Sequence, residues 1–241
     1  CGGSGTRLAA CSALSLHLVD LSRRDHPHRL ARELPTGACR DRQLGAGLVW
    51  VRGAADRVAV ACGASVLVVD PETGARCWEH APQLADPLVT SLAAVDEHTL
   101  LAGWGAPAAK VCLLDVRAPA SAGLVLAQDV AFVCGLCSCP LDPRLAASHT
   151  PPPAVSCAPR SQSGTCQIAI WDVRLGRQVP EPVGRLHDAS RELGAAFEGL
   201  ASLEWSPSKS HTLLAVDAAG GASVCRLWSR GQAEETSSCW L

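Results

Sequence analysis

Three observations predict an all-β chain built from repeated four-stranded antiparallel units. The phrase "HTLLAGWGAPAAKVCLLDV", beginning at His98, returns as "HTLLAVDAAGGASVCRLWS", beginning at His211. Short apolar runs end in an acidic or polar residue five times, at Asp20, Asp70, Asp115, Asp172 and Ser229, so that successive ends stand 50, 45, 57 and 57 residues apart. Gly or Pro interrupts the apolar pattern about every ten residues, too often for helices that bury a continuous stripe.

The elements follow from those run ends. Before each run lies a second strand-like segment: "TRLAACS" from Thr6, "DRVAVACG" from Asp56, "HTLLAGWG" from His98, "PAVSCAP" from Pro153 and "HTLLAVDAA" from His211. Gly, Ala, Ser or Pro separates each pair, as a tight antiparallel connection requires. Further upstream, "GAGLVWVR" from Gly45, "VTSLAAVDE" from Val89, "GLCSCPLDP" from Gly135 and "GLASLEWSPS" from Gly199 supply an earlier strand. Downstream, "ARCWEHA", "GLVLAQDV" and "RQVPEPV" are weaker fourth-strand candidates. Runs such as "TLLA" and "VLVV" are apolar on both faces, which suits sheets stacked face to face with both sides covered. Helix is expected only in short turns, such as one around Ser190 to Ala196.

These features resemble the WD-repeat β-propellers, whose repeats run to roughly 40 to 45 residues, one four-stranded blade each. The resemblance rests on the five-fold series, on "IAIWDVR" from Ile168 to Arg174, and on "RLHD" from Arg185, which precedes Trp228 by about one repeat. A single repeat carries the literal Trp-Asp pair, and no Gly-His dipeptide is present. The resemblance implies structural roles for His187, Asp115, Trp171, Asp172 and Trp228, with His187 standing in the connection before a first strand and His80 a second residue of that kind. It also implies a single domain over residues 1–241 with blades at 6–37, 45–81, 89–130, 135–183 and 199–241. Position 1 is Cys and the chain has no Met, so an N-terminally truncated, incomplete ring is expected. Such a ring exposes a sheet edge and is expected to self-associate.

The stretches "GASVLVVDPETGARCW", "VTSLAAVDEHTLLAGWGAPAAKVCLLDVRAP" and "CQIAIWDVRLG" are similar to the middle blades of one WD-repeat subfamily. That likeness implies a cytoplasmic, non-enzymatic scaffold associated with assembly of the Integrator RNA-cleavage machinery and with microtubule and spindle organisation. Integrator cleavage-module subunits or microtubule-associated proteins would be its partners, with no cofactor.

Bulk properties narrow the classes. The 241 residues are 48% hydrophobic, enough for a real core. A net charge of −2 without a basic block removes the electrostatic footprint of direct nucleic-acid or anionic-membrane binding. No apolar run reaches spanning length: even Gly123 to Cys137 is broken by Gln128 and Asp129. Asn, Tyr and Met are absent, a pattern of a GC-rich gene rather than of function. The 13 cysteines are odd in number and scattered, so most are expected reduced and packed as small apolar side chains, in an intracellular protein.

Candidate chemistry is sparse. "CGLCSC" contains C-x-x-C, the spacing of thiolates that share a zinc ion, but a strand would turn Cys134 and Cys137 to opposite faces, and core packing of Cys134, Cys137 and Cys139 is the plainer reading. "HPH" at His26 to His28 reads as a solvated loop, and "GGSG" near the start lacks the Lys-Ser/Thr of a phosphate loop. No G-x-S-x-G or H-E-x-x-H pattern occurs, and no catalytic or metal site is expected. Trp50, Trp104, Trp171, Trp205 and Trp228 read as core; Trp240 reads as an outer strand or a docking anchor.

Asp-x-Arg recurs at Asp115/Arg117 and Asp172/Arg174. Each Asp should bind backbone donors of its turn, and Arg117 and Arg174 should reach solvent or a partner carboxylate. Three functions stay open: an interaction scaffold; a substrate receptor of a cullin-RING ubiquitin ligase, whose adaptor-docking box the Asp-x-Arg pairs resemble; and an enzyme built on a propeller.

Overall fold

The computed structural model describes residues 7–11, 15–20, 30–35, 44–51, 53, 56–80, 87–105, 109–119, 123–128, 133, 135–143, 145–150, 167–173, 184–187, 200–209, 211–217, 221–227 and 233–240. Five antiparallel sheets follow one another along the chain, each with its strands in chain order. The first holds β1 (Arg7–Cys11), β2 (Ser15–Asp20) and β3 (Leu30–Pro35); the second β4 (Leu44–Val51), β5 (Arg57–Cys62), β6 (Ser65–Val69) and β7 (Arg76–His80). The third holds β8 (Val89–Ala94), β9 (Thr99–Trp104), β10 (Lys110–Asp115) and β11 (Gly123–Gln128); the fourth β12 (Gly135–Ser138), β13 (Leu145–Thr150), β14 (Gln167–Asp172) and β15 (Gly184–His187). The fifth holds β16 (Leu200–Trp205), β17 (Thr212–Asp217), β18 (Gly221–Leu227) and β19 (Ala233–Trp240). The repeated phrase is one hairpin built twice, β9–β10 and β17–β18.

Cores lie between consecutive sheets rather than within one. Ala59, Ala61, Val66 and Val68 of the second sheet pack against Leu100, Ala102 and Leu114 of the third. Their strand neighbours Val58, Val60, Leu67 and Val69 turn the other way, towards Leu16 of the first sheet. Because side chains alternate along a strand, a run with no polar position is what a sheet buried on both faces needs. The third and fourth sheets meet through Leu101, Val111, Leu136 and Trp171, and the fourth and fifth through Ile168, Ile170, Leu203 and Leu213.

Polar links tie the sheets together across these cores. The Trp104 indole N–H donates to the Ala64 carbonyl at 3.2 Å, and the Trp78 N–H to that of Ala118 at 3.0 Å. His80 sets its ring edge-on against Trp104, with centroids 5.7 Å apart. Between β8 and β12, Thr90 Oγ1 donates to the Val133 carbonyl at 2.6 Å, the Leu136 N–H donates to Ser91 Oγ at 3.0 Å, and Ser138 Oγ donates to the Ala94 carbonyl. Gly103 permits part of this approach: a Cβ there would lie 2.5 Å from Val133 Cγ1.

Several strands differ from expectation. The fourth sheet's second strand is Leu145–Thr150, not a segment beginning at Pro153. Proline cannot donate to a ladder, and Pro151 to Pro153 follow the strand end instead of opening it. That sheet's fourth strand is Gly184–His187, past the "RQVPEPV" segment, which lies outside the described residues. His187 therefore ends a strand, its backbone opposite Gln167, rather than standing in a connection; its side chain lies outside the described residues. The expected turn at 190–196 also lies outside them. Cys77, Cys112, Cys137 and Cys139 stand outside any disulfide, in the reduced state expected of most cysteines, whereas Cys62 is disulfide-bonded.

Candidate functional site

The first strands of four sheets stand side by side, β4 beside β8, β8 beside β12 and β12 beside β16. Gly47 allows the first of these contacts, since a Cβ there would sit 3.0 Å from Leu92 Cγ. Where these strands end, they enclose an open cavity of about 500 Å3. Trp50 and Trp205, both nearly buried, form part of its wall with Cys137 and Cys139; Asp96 and Glu204 are its charged lining residues. No basic side chain lines it among the described residues. The Trp205 indole N–H has no acceptor among the described residues.

Turns surround this mouth, because an antiparallel meander returns the end of its third strand to the side where its first strand ends. In the third sheet the β8–β9 turn, Val95 to His98, and the end of β10 at Asp115 therefore share one side. Asp96 Oδ1 accepts the His98 N–H at 2.8 Å, and the His98 carbonyl accepts the Val116 N–H at 2.8 Å. In the second sheet Asp70 plays the part of Asp115, accepting the N–H groups of Glu72 and Thr73 at 2.7 and 3.2 Å. Those two backbone donors hold its carboxyl below the ordinary range.

Asp115 accepts the backbone N–H of Arg117 at 2.9 Å. The Arg117 side chain then folds back on the same carboxylate, with Nε donating to Oδ1 at 2.9 Å and Nη2 to Oδ2 at 2.8 Å. Arg117 is 63% exposed, so the clamp lies on the surface, yet its fork is already occupied by its own strand-ending Asp rather than extended outward. The Arg117 guanidinium holds the Asp115 carboxyl below its ordinary range, and Asp115 raises Arg117 in return.

Of the other residues singled out in the sequence, Trp171 is buried between the third and fourth sheets, 4% exposed, and Asp172 ends β14 opposite Leu145. Arg174 and Trp228 lie outside the described residues, as does Cys134. Trp240 ends β19, its backbone opposite Gly221. Among the described residues no three His, Cys, Asp or Glu side chains converge to hold a metal, and no helix is long and apolar enough to cross a membrane. Sequence reading missed the cavity and the two carboxylates in it. The one available signal was an acidic residue at or just beyond the end of a first strand, in "AAVDE" and "SLEW".

Sheets stacked in sequence, with their first strands around a shared cavity, define a β-propeller of four-stranded blades. Solved WD40 propellers share that fold. The β-propeller domain of Myceliophteria thermophila Cps50 (Swd1) superposes with a TM-score of 0.68 at 15% identity, over 97% of this chain and 68% of that one. The WD40 repeats of RRP9 superpose with a TM-score of 0.68 at 12% identity, over 97% of this chain and 63% of that one. No protein-family model matches the sequence, and no curated protein matches it.

Proposed function

We propose that the chain is a non-enzymatic protein–protein interaction scaffold whose partners dock where the first strands end. The observation that carries this reading is the open cavity of about 500 Å3, ringed by exposed turns, at the end of a stack of sheets that pack face to face on one another. Cavities of this size, walled by apolar and aromatic side chains with a few polar groups, are the usual form of a recognition site.

The finer reading follows the likeness of "VTSLAAVDEHTLLAGWGAPAAKVCLLDVRAP" and its neighbours to WD repeat-containing protein 73. By that likeness the protein is cytoplasmic and spindle-associated, serves assembly of the Integrator complex, and binds Integrator cleavage-module subunits or microtubule-associated proteins without a cofactor. The ligase-receptor reading keeps one support, the exposed Asp115–Arg117 pair, though Arg117 turns its fork inward. Affinity purification of the tagged chain from cells, followed by mass spectrometry, tests these readings. Integrator or microtubule proteins are expected; a cullin-RING adaptor would favour the receptor, and no enriched protein would overturn the scaffold.

A further inference from the structure

We infer that the cavity at the ends of β4, β8, β12 and β16 receives a basic side chain, arginine or lysine, carried by an extended segment of a partner protein. Three features converge on that occupant. The lining holds two carboxylates, Asp96 and Glu204, with no basic residue among the described ones, so an entering cation meets uncompensated negative charge. Arg117 lies near Asp96, but its guanidinium is held on Asp115.

The aromatic wall suits the same guest. Trp50 and Trp205 present indole surface beside the carboxylates, and a basic side chain carries an apolar stem that packs on such a surface while its head reaches an acid. Trp205 also explains why the guest is a peptide rather than a free cation. It is 6% exposed, lines the cavity, and its N–H meets no acceptor among the described residues. A buried donor without a partner is costly, and a backbone carbonyl arriving with the basic side chain supplies the acceptor.

The inference rests on the scaffold reading and specifies the partner chemistry of its docking face. The test titrates the full chain by calorimetry with blocked alanine pentapeptides carrying arginine, lysine or glutamine at the centre. Asp96→Asn with Glu204→Gln removes both charges while keeping shape and the Asp96 acceptor of the His98 N–H. Asp70→Asn, outside the cavity and keeping the acceptor of the Glu72 N–H, is the control. Either basic peptide should bind about tenfold tighter than the glutamine peptide, the double variant should lose that preference, and the control should keep it. Equal binding of basic and glutamine peptides, or an undiminished preference in the double variant, would overturn the inference. Circular dichroism matching the parent confirms that the double variant is folded. Capture of partners in cells is a separate readout: loss of the peptide preference with partners retained overturns the docking face and leaves the scaffold standing.

Discussion

Leu101 and Leu214 hold the same place in the repeated phrase, yet Leu101 is fully buried between the third and fourth sheets whereas Leu214 is 41% exposed. One hairpin in two settings thus separates the contribution of neighbouring sheets from that of the strand itself. Leu101→Ala should destabilise by about 2 to 5 kcal/mol, the range for a buried leucine truncated to leave a void. Leu214→Ala should stay within about 0.5 kcal/mol. Chemical denaturation of both variants measures the difference, and equal losses would contradict packing between sheets as the source of stability.

The Asp115–Arg117 clamp gives a pH signature. Because the folded carboxyl is depressed below its ordinary 3.8, its stabilisation is complete above that value and is lost as pH falls through the folded pKa. At pH 7, Asp115→Ala should cost about 0.5 to 1 kcal/mol, a modest figure because the pair is exposed and screened. The gap should close in acid, below pH 3.8. Arg117→Ala should leave the melting temperature nearly unchanged. Thermal scans from pH 7 down to about pH 2 check both, and a gap that does not narrow towards the acid end would show that the carboxylate charge is not its source.

Much of the blade pattern was legible in the sequence, and the gaps have physical reasons. Strands buried on both faces, such as Val58 to Cys62 and Val66 to Val69, announce themselves as unbroken apolar runs. Perimeter strands do so more weakly: β7 begins with exposed Arg76 and Cys77 and buries only its last residue, His80, so "ARCWEHA" is a weaker candidate in the sequence, yet forms the strand. β3, "LARELP", has no apolar run to mark it as a strand. β13, "LAASHT", carries small and polar residues and is less clearly patterned than the nearby "PAVSCAP". Arg117 is expected to reach outward because it is a long cation placed beyond the strand end; the turn after Asp115 instead brings its guanidinium back onto the carboxylate. The cavity needs residues from four sheets, and spacing along the chain carries no record of such a meeting.

Contact between Gly103 and Val133 predicts a measurable coupling. A methyl group added at Gly103 collides with Val133, and such overpacking costs about 1 to 3 kcal/mol. Gly103→Ala combined with Val133→Ala should therefore lose less than the sum of the two single variants, by at least about 0.5 kcal/mol. Additive losses in this double-mutant cycle would contradict the close approach of β9 to the segment before β12.

Partners of this propeller are held to dock where β4, β8, β12 and β16 end, and amide hydrogen exchange of the chain alone and with its copurified partner measures that face directly. The account predicts protection at residues 95–98, 116–119, 140–143 and 206–209, in the turns around the cavity. Protection confined to the opposite ends of the sheets, at Gly63, Ala64 and Gly105, with these turns unchanged, would contradict it.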